Sequence, residues 1–448
     1  PKIQPFPSHH LMPLQITSVT IFTGKRMQLQ NIIDPDVYVN GVPHETFQYL
    51  RDNDPVRWWD EDDGSGFWAI TRYDDLIEAS HQPQIFSSAG GIRLEEMDDE
   101  ESKARNTMME LDPPEHTSYR RLVNPPFLPR SVASYTEDLR ELSREVINNV
   151  HGQTEFDFVT EIARTLPMRM LGKMLGVPDE DGHWLVAAGD ALIGNTDPEF
   201  TDFPVDLVDT EEYRLLPFRS PVSLKLFEFA TQQRQQRLSN TGFQPVTGRD
   251  ARATEDLIAM LAKPLRDGSM LTDLEFNNFF TLLVAAGNDT TRYTMAAGME
   301  ALLANPDILA ELRDHPEYMD TAVEEILRWG TVTMHFRRTM TQDYTLNGQQ
   351  MKTGDKVILF YISADFDERQ FVNPYTFDIH RTPNPHVAFG LKSPHKCLGE
   401  HLARLEIKVL FEELLPLIAD IELNGAIERL RSNFIAGIKH LPVKVSWA

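Results

Sequence analysis

A lone cysteine carries the first candidate chemistry. Cys397 is the only cysteine of the chain and lies within "HVAFGLKSPHKCLGEHLARLE" (386–406). The apolar residues after it have the spacing of a helix buried on one face: Leu398, Leu402, Leu405 and Val409. Because the N–H groups and the dipole at a helix N-terminus favour a thiolate, Cys397 is predicted to be a nucleophile or a metal ligand. The alternative is an inert buried cysteine.

The second candidate is a long apolar helix pattern that polar residues interrupt. It reads "TLLVAAGNDTTRYTMAAGMEALL" (281–303), with Gly287, Asp289, Thr290 and Thr291 in its middle. Glycine costs about 1 kcal/mol relative to alanine inside a helix, and an acid beside two β-branched hydroxyl residues adds nothing to helix formation. These residues indicate either a catalytic role or a kinked core helix whose threonines bond back to carbonyls one turn earlier.

The third candidate is a charged pair in "AVEEILRWG" (322–330). Glu325 and Arg328 are three residues apart, so they share one face of a helix. Most such pairs are solvated contacts worth under about 1 kcal/mol. In isolation, this pair predicts nothing beyond an ordinary surface contact.

The composition limits what these residues can belong to. With 448 residues, 41% hydrophobic and 25% charged, the chain can bury a large core, and no linker or repeat divides it. The net charge of −25 predicts a surface that repels nucleic acid and anionic lipid. A single cysteine excludes an intrachain disulfide and any multi-cysteine zinc or iron–sulfur site, which indicates a reducing compartment, the cytoplasm.

Neither a signal peptide nor a membrane span is expected. The stretch "PKIQPFPSHHLMPLQITS" (1–18) lacks a charged region followed by an apolar one. No run approaches 18 uninterrupted apolar residues. We therefore predict a soluble protein without a membrane anchor.

Three zones of secondary structure are expected to position the candidate residues. Short β-like runs, "PVRWWD" (55–60) and "GFWAITRYDD" (66–75), predict a small sheet near the N-terminus. Amphipathic helix patterns dominate from about Tyr135, with stops such as "MLGVPDEDG" (174–182). The stretch 344–364 predicts a hairpin and a buried strand.

The cysteine stretch resembles the heme-binding signature of the cytochrome P450 family, F-G-x-G-x-H-x-C-x-G-x-x-L-A-R. Eight residues match it: Phe389, Gly390, His395, Cys397, Gly399, Leu402, Ala403 and Arg404. The resemblance implies that Cys397 is the axial thiolate ligand of a heme b iron. The loop departs from the family by one extra residue, with Ser393 and Pro394 where a glycine is usual.

The interrupted helix resembles the same family's oxygen-activating segment. Its core is "AGNDTT" (286–291), against the usual A/G-G-x-D/E-T-T/S. The resemblance implies that Gly287 leaves room for dioxygen, that Thr290 holds the activated oxygen, and that Asp289 relays protons from bulk water. Proton transfer by a positioned group typically contributes about 10²- to 10⁴-fold in rate.

The charged pair resembles the family's buried E-x-x-R pair. Arg381, in "NPYTFDIHR" (373–381), stands where the family has the arginine that completes a triad with Glu325 and Arg328. Because removing one member of a buried charge network is costly, the resemblance implies a structural and not a catalytic role.

The resemblance also implies which residues contact the cofactor and the substrate. Segments 112–123 and 334–340 look like those whose side chains reach the heme propionates. With the ligand loop they give seven expected cofactor contacts: His116, Arg120, Arg338, His395, Phe389, Gly390 and Gly399. By motif position six residues should line the substrate pocket: Leu282, Ala285, Ala286, Met334, Phe336 and Ile435. This apolar set favours an apolar substrate of appreciable size.

The resemblance covers the chain from about Asp34 and implies a single cytochrome P450 domain, 34–448, after an N-terminal extension, 1–33. The implied fold is mainly α with a small β-rich lobe and heme between a distal and a proximal helix. The implied function is a monooxygenase that inserts one atom of O2 into an apolar molecule. Stretches such as "GNTDPEF" (194–200) and "PNPHVAFG" (383–390) look most like bacterial hydroxylases of sterol side chains, branched lipids and terpenoids.

Electrons are expected to come from NAD(P)H through a ferredoxin and its reductase, since the 448 residues include no redox module. Four cationic residues around the ligand loop predict a docking patch: Lys392, Lys396, Arg404 and Lys408. Three alternatives stay open. They are oxidative O-demethylation of a small methyl ether, a non-catalytic heme carrier or sensor, and a nucleophilic Cys397 with His395 as base, whose shared loop gives poor geometry.

Overall fold

The computed structural model of the chain describes residues 28–61, 64–239 and 256–448. Most of the predicted N-terminal extension, residues 1–27, lies outside the described residues. Its last residues pack on the fold, since Ile32 is fully buried and its carbonyl accepts a hydrogen bond from the Tyr38 hydroxyl at 2.8 Å.

Helices are the main element of the described residues, and none of these helices is long and apolar enough to cross a membrane. The α-helices described are α1 (Pro35–Tyr38), α2 (His44–Asn53), α3 (Tyr73–Ser80), α4 (Asp99–Arg105), α5 (Glu115–Val123), α6 (Pro129–Val132), α7 (Thr136–Val150), α8 (Thr165–Leu175), α9 (Asp179–Ile193), α10 (Val222–Ser239), α11 (Leu257–Leu261), α12 (Asp273–Ala304), α13 (Pro306–Asp314), α14 (Met319–Gly330), α15 (Tyr361–Ala364) and α16 (Glu400–Leu414). As predicted, helices dominate from α7 onward. The predicted stop after α8 is a left-handed Gly176 (φ 67°).

The strands form small sheets. They are β1 (Val56–Asp60), β2 (Gly66–Ile70), β3 (Phe86–Ser87), β4 (Glu155–Asp157), β5 (His335–Met340), β6 (Tyr344–Leu346), β7 (Gln349–Met351), β8 (Lys356–Phe360), β9 (Ile418–Leu423), β10 (Glu428–Arg429), β11 (Ile438–His440) and β12 (Pro442–Trp447). The largest sheet described has the order β1-β2-β8-β5-β3, with β2 and β8 parallel and the other pairs antiparallel. The predicted hairpin (β6 and β7) and the fully buried strand β8 are both present, which confirms a mainly α chain with a small β-rich lobe.

Helix α12, here called the distal helix, runs through the centre of the helical part. Its N-terminus is a capping box, in which the Glu275 carboxylate accepts the Thr272 N–H at 2.7 Å and the Thr272 hydroxyl accepts the Glu275 N–H at 3.3 Å. Side chains are buried around most of its circumference, as expected of a core helix. It continues without a break through Gly287, and the Thr290 and Thr294 hydroxyls donate to carbonyls one turn earlier, as the core-helix alternative predicts.

Helix α16, here called the proximal helix, lies against α14. The Arg404 guanidinium joins the two, with its Nε 2.6 Å from an oxygen of Glu324 on α14 and its Nη1 2.9 Å from Glu400 on α16. The predicted apolar stripe packs inward, since Leu402 and Val409 are buried in the main core. The segment 387–399 connects the β-rich lobe to this helix and positions Cys397.

Candidate active site

Cys397 lies in a tight loop just ahead of the proximal helix. Its backbone N–H donates to the Phe389 carbonyl at 2.8 Å, and Gly390 has the left-handed φ of 69° that glycine tolerates best. The extra length of the loop is taken up at Ser393, whose hydroxyl accepts the His395 N–H at 3.2 Å and whose carbonyl accepts the Lys396 N–H at 3.1 Å. The loop therefore closes without the glycine that is usual there.

The proximal helix begins three residues after Cys397, so the sulfur lies outside its first turn. Burial raises the pKa of the Cys397 thiol, while the Gly399 N–H and the charge of Arg120 oppose this rise. Without a metal, burial is the largest of these effects. A bound metal ion reverses this balance, since it deprotonates a coordinating thiol.

Two adjoining cavities open above the cysteine. The cysteine cavity, about 1540 Å³ of atom-free space counting its opening, is lined by Cys397 and the loop residues Phe389, Gly390 and Gly399. The distal cavity, about 960 Å³ on the same measure, adjoins the cysteine cavity, and six of the described residues line both. The shared lining residues are Met109, Leu282, Ala286, Thr290, Thr333 and Phe336.

The nitrogen-bearing side chains of Arg120, Arg338 and His395 line the cysteine cavity, and His116 packs against His395. The rings of His116 and His395 are 4.2 Å apart between centroids, and none of their four ring nitrogens has a hydrogen-bond partner. Among the described residues, no carboxylate forms an ion pair with Arg120 or Arg338, and both of these arginines line the cavity. Burial, assisted by Arg338, lowers the pKa of His395 to about 2, and burial with Arg120 lowers the pKa of His116 to about 4.

This cluster is therefore short of negative charge. Two guanidinium groups without a counter-ion, of which Arg338 is buried and Arg120 half-buried, and four ring nitrogens without a hydrogen-bond partner are costly to maintain. Anionic groups with several acceptor oxygens, such as carboxylates, would satisfy them. The cluster and the cysteine thus fit a cofactor that combines a metal ion with carboxylate side chains.

The distal helix presents Thr290 and Gly287 to the cysteine cavity. The Thr290 hydroxyl donates to the Ala286 carbonyl at 3.0 Å, one turn earlier, so its oxygen is left as an acceptor toward the cavity. A Cβ on Gly287 would lie 2.7 Å from Cδ2 of Leu171 on α8. The absence of a side chain at this position therefore lets α8 and the distal helix approach closely.

Asp289 is fully buried and does not line either cavity. Its Oδ1 lies 2.5 Å from Nη2 of Arg292, whose Nη1 lies 2.5 Å from Asp190 on α9. Arg164, which is 37% exposed, pairs with the outer side of Asp190. Burial raises the pKa of Asp289 to about 7; Arg292 lowers it and Asp190 raises it further. The chain of charges from Asp289 to Arg164 thus runs from the distal helix to solvent.

Three charged residues meet below the cavity in the predicted network. Arg328 donates to both oxygens of Glu325, at 2.8 and 2.7 Å, and both side chains of this pair are fully buried. Arg381 donates to Glu325 at 3.0 Å and to the carbonyls of a neighbouring turn. Arg328 also donates to the Asp365 carbonyl at 2.9 Å, which ties α14 to the end of α15.

Five of the six predicted pocket residues line the distal cavity: Leu282, Ala285, Ala286, Phe336 and Ile435. Met334 does not line either cavity. It is fully buried in a separate cluster with Phe47 and Phe360. In extended backbone, successive side chains point to opposite sides, so Thr333 takes the cavity side in its place. Sequence reasoning missed Thr333 because no local pattern shows which side of this segment faces the cavity.

Comparison with known proteins identifies the fold. A family model described as cytochrome P450 matches residues 41–416. This chain belongs to the cytochrome P450 family. It is similar to the steroid C26-monooxygenase of Mycobacterium tuberculosis, at 33% identity over 451 residues and 97% coverage of both proteins. It is also similar to the methyl-branched lipid omega-hydroxylase of that organism, at 35% identity, covering 89% of this chain and 90% of the relative.

A solved structure supports the same assignment. A Mycobacterium marinum cytochrome P450 in complex with pseudoionone matches with a TM-score of 0.82 and 32% identity, covering 94% of this chain and 100% of that one. The protein is accordingly a cytochrome P450 monooxygenase with the cytochrome P450 fold. Its cofactor is heme b, and it uses O2 with electrons derived from NAD(P)H.

The residues of this cytochrome P450 fit heme b. Cys397 is available to ligate the iron, and the four-residue cluster of Arg120, Arg338, His116 and His395 supplies the donors that two propionates require. When bound, the heme supplies the oxygen-activating and electron-accepting chemistry. The two adjoining cavities leave space for a substrate beside Cys397 and along the distal helix.

Proposed function

We propose that this cytochrome P450 hydroxylates an apolar lipid or sterol, with electrons delivered by a ferredoxin and its reductase. The observation that carries the proposal is the distal cavity, a largely apolar space that adjoins the cysteine cavity along the distal helix. Similar proteins are named for the oxidation of steroids and methyl-branched lipids. An apolar cavity with few polar groups favours such a substrate over a polar one.

The reaction consumes O2, two electrons and two protons, placing one oxygen atom in a C–H bond of the substrate and releasing the other as water. Thr290 is proposed to hold the activated oxygen by a hydrogen bond, because the oxygen of its hydroxyl is an acceptor at the boundary of both cavities. Asp289 is the proposed proton relay, because its Oδ2 has no hydrogen-bond partner and its Oδ1 connects through Arg292 to the surface. A group with a pKa near the working pH can both hold and release a proton.

Ferredoxin docking is proposed at the proximal face, around the ligand loop. Three of the four cationic residues there pair with carboxylates: Lys396 with Glu400 (2.5 Å), Arg404 with Glu324 (2.6 Å) and Lys408 with Asp320 (2.5 Å). Such partly exposed pairs contribute only about 0–1 kcal/mol, so an acidic partner can compete for their cations. The patch is nevertheless less positive than the sequence alone indicates.

Charge reversal tests the docking face. Lys392→Glu with Lys396→Glu should weaken ferredoxin binding and flatten its dependence on salt. The matched control is Lys352→Glu with Lys444→Glu, two exposed lysines that pair with Asp343 and Glu422 elsewhere on the surface. If both double variants bind ferredoxin equally well, docking does not use the ligand-loop face.

Substrate screening tests the main proposal. Sterols, branched lipids and small methyl ethers are titrated into the heme-loaded protein, and the shift of its Soret band is recorded. Lipids or sterols that shift the band should be converted to alcohols carrying one oxygen atom from O2. Formaldehyde release from a methyl ether would favour O-demethylation instead. Binding without turnover, with every redox partner and substrate, would favour a heme carrier or sensor.

A further inference from the structure

Four charged residues among those described line the distal cavity: Arg93, Arg105, Glu95 and Glu110. Arg93 lies in the segment between β3 and α4 and lines the distal cavity, but not the cysteine cavity. Its side chain was not among the pocket residues that motif positions predict, because this segment matches no motif. Its charge therefore lies in the part of the substrate space that Cys397 does not line.

The contacts of Arg93 leave most of its donors free. Its Nη2 donates to Oδ1 of Asn195 at a long 3.3 Å, and its guanidinium carbon lies 5.1 Å from the Phe218 ring centre and 5.2 Å from that of Phe434. Within the described residues, no carboxylate lies close enough to Arg93 to form an ion pair. None of its nitrogens is both enclosed and unpartnered, so the free N–H groups face accessible space.

The nearby carboxylates are occupied by other partners. Glu95 pairs with Arg105 at 3.3 Å, and Glu101 lies 3.7 Å from the same guanidinium. Glu110 accepts the Thr107 N–H at 3.0 Å, and burial raises the pKa of Glu110, which favours its neutral form. Burial lowers the pKa of Arg93, because its charge is poorly solvated, while the charges of Glu95 and Glu110 oppose this shift from a distance. Arg93 thus lacks, within the described residues, the ion pair that its neighbour Arg105 has.

A guanidinium with free N–H groups, flanked by aromatic rings in a poorly solvated cavity, suits a carboxylate best. Arginine binds carboxylates through two parallel hydrogen bonds, and such charge-assisted bonds are stronger than those to a neutral carbonyl or hydroxyl. We infer that the substrate is an apolar acid whose carboxylate binds Arg93 while its opposite end lies over Cys397. The inference rests on the proposed function and deepens it, since oxidation then occurs far from the carboxylate.

Binding titrations with matched ligands test this inference. A branched long-chain acid, its methyl ester and its alcohol are titrated into the heme-loaded protein, followed by the Soret shift and by calorimetry. The wild type should bind the acid most tightly. Arg93→Gln should weaken binding of the acid by about 10- to 100-fold and leave the ester and the alcohol within about threefold. Arg93→Lys, which keeps the charge but not the planar fork, should fall between the two.

Arg57→Gln is the matched control, because Arg57 also contacts an aromatic ring, Trp59, and one carboxylate, Asp54, but lies on β1 away from the cavities. The inference is overturned if the wild type binds the ester as tightly as the acid, or if Arg93→Gln weakens both ligands equally. In those cases neutral lipids still bind, and the proposed function stands. If no lipid, sterol or acid shifts the Soret band, the proposed function fails together with the inference.

Discussion

Replacing Glu325 tests whether the buried charge network holds the fold together. The Glu325 carboxylate is fully buried and accepts five hydrogen bonds within the described residues. The donors are the side chains of Arg328 (two bonds), Arg381 and Asn384, and the backbone N–H of Asp378. Glu325→Ala would leave two guanidinium groups facing each other without a counter-charge.

The expected cost follows from this count. Removing one member of a buried charge network costs about 3–5 kcal/mol, against a total stability of about 5–15 kcal/mol for a typical protein. The loss also reaches the cysteine loop, because Arg328 holds the Asp365 carbonyl and the Asp365 carboxylate accepts the Val387 N–H at 2.7 Å. We therefore expect Glu325→Ala to give insoluble or heme-free protein.

The assay measures soluble yield, heme per polypeptide and the midpoint of thermal unfolding. Glu422→Ala is the control, since Glu422 pairs with Lys444 at 2.9 Å while its side chain is 62% exposed, and exposed pairs contribute about 0–1 kcal/mol. Glu325→Gln separates shape from charge, because the amide keeps the volume and loses the negative charge. A soluble Glu325→Ala protein with full heme content and the midpoint of the control would refute the structural role.

Three further predictions concern the distal helix. Thr290→Ala should keep heme and substrate binding but divert reducing equivalents to hydrogen peroxide, so full coupling of NAD(P)H to product would contradict its role. Because the Asp289 carboxyl holds its proton below about pH 7 and loses it above, wild-type turnover should fall as pH rises through 7. Asp289→Asn should turn over about 10²- to 10⁴-fold more slowly, and its turnover should not change with pH around 7. Gly287→Ala should lower the free energy of unfolding, measured by denaturant unfolding, by about 1–3 kcal/mol, because the new Cβ clashes with Leu171. In a Leu171→Ala background the clash is absent, so the same substitution should be neutral or stabilising.

Local patterns predict the elements of this fold well. The short β-like runs 55–60 and 66–75 supply strands β1 and β2, which pair antiparallel with Trp58 opposite Trp68. The apolar stripe after Cys397 becomes the proximal helix. Each of these patterns is satisfied by neighbours in the sequence, so the information needed to recognise it lies within a few residues.

Partnerships between distant segments could not be predicted in the same way. The N-terminal strand β2 pairs in parallel with β8, and Trp68 lies opposite Val357, a registration that no local signal specifies. The placement of Met334 failed for a related reason. Its burial depends on Phe47, nearly 300 residues earlier, which fills the space on the other side of the segment.

The same distinction separates the parts of the active site. The Cys397 loop and the Glu325–Arg328 pair could be recognised because their spacing is short and fixed by a turn or a helix. The environment of Asp289 could not, because Asp190 is 99 positions away on another helix and is joined to it by Arg292 and Asn288. A motif thus names the residue that acts, while the charges that tune it come from elsewhere in the fold. The same holds for the proposed substrate contact of Arg93. That Arg93 lines the distal cavity without an ion-pair partner among the described residues can be seen only in the folded chain.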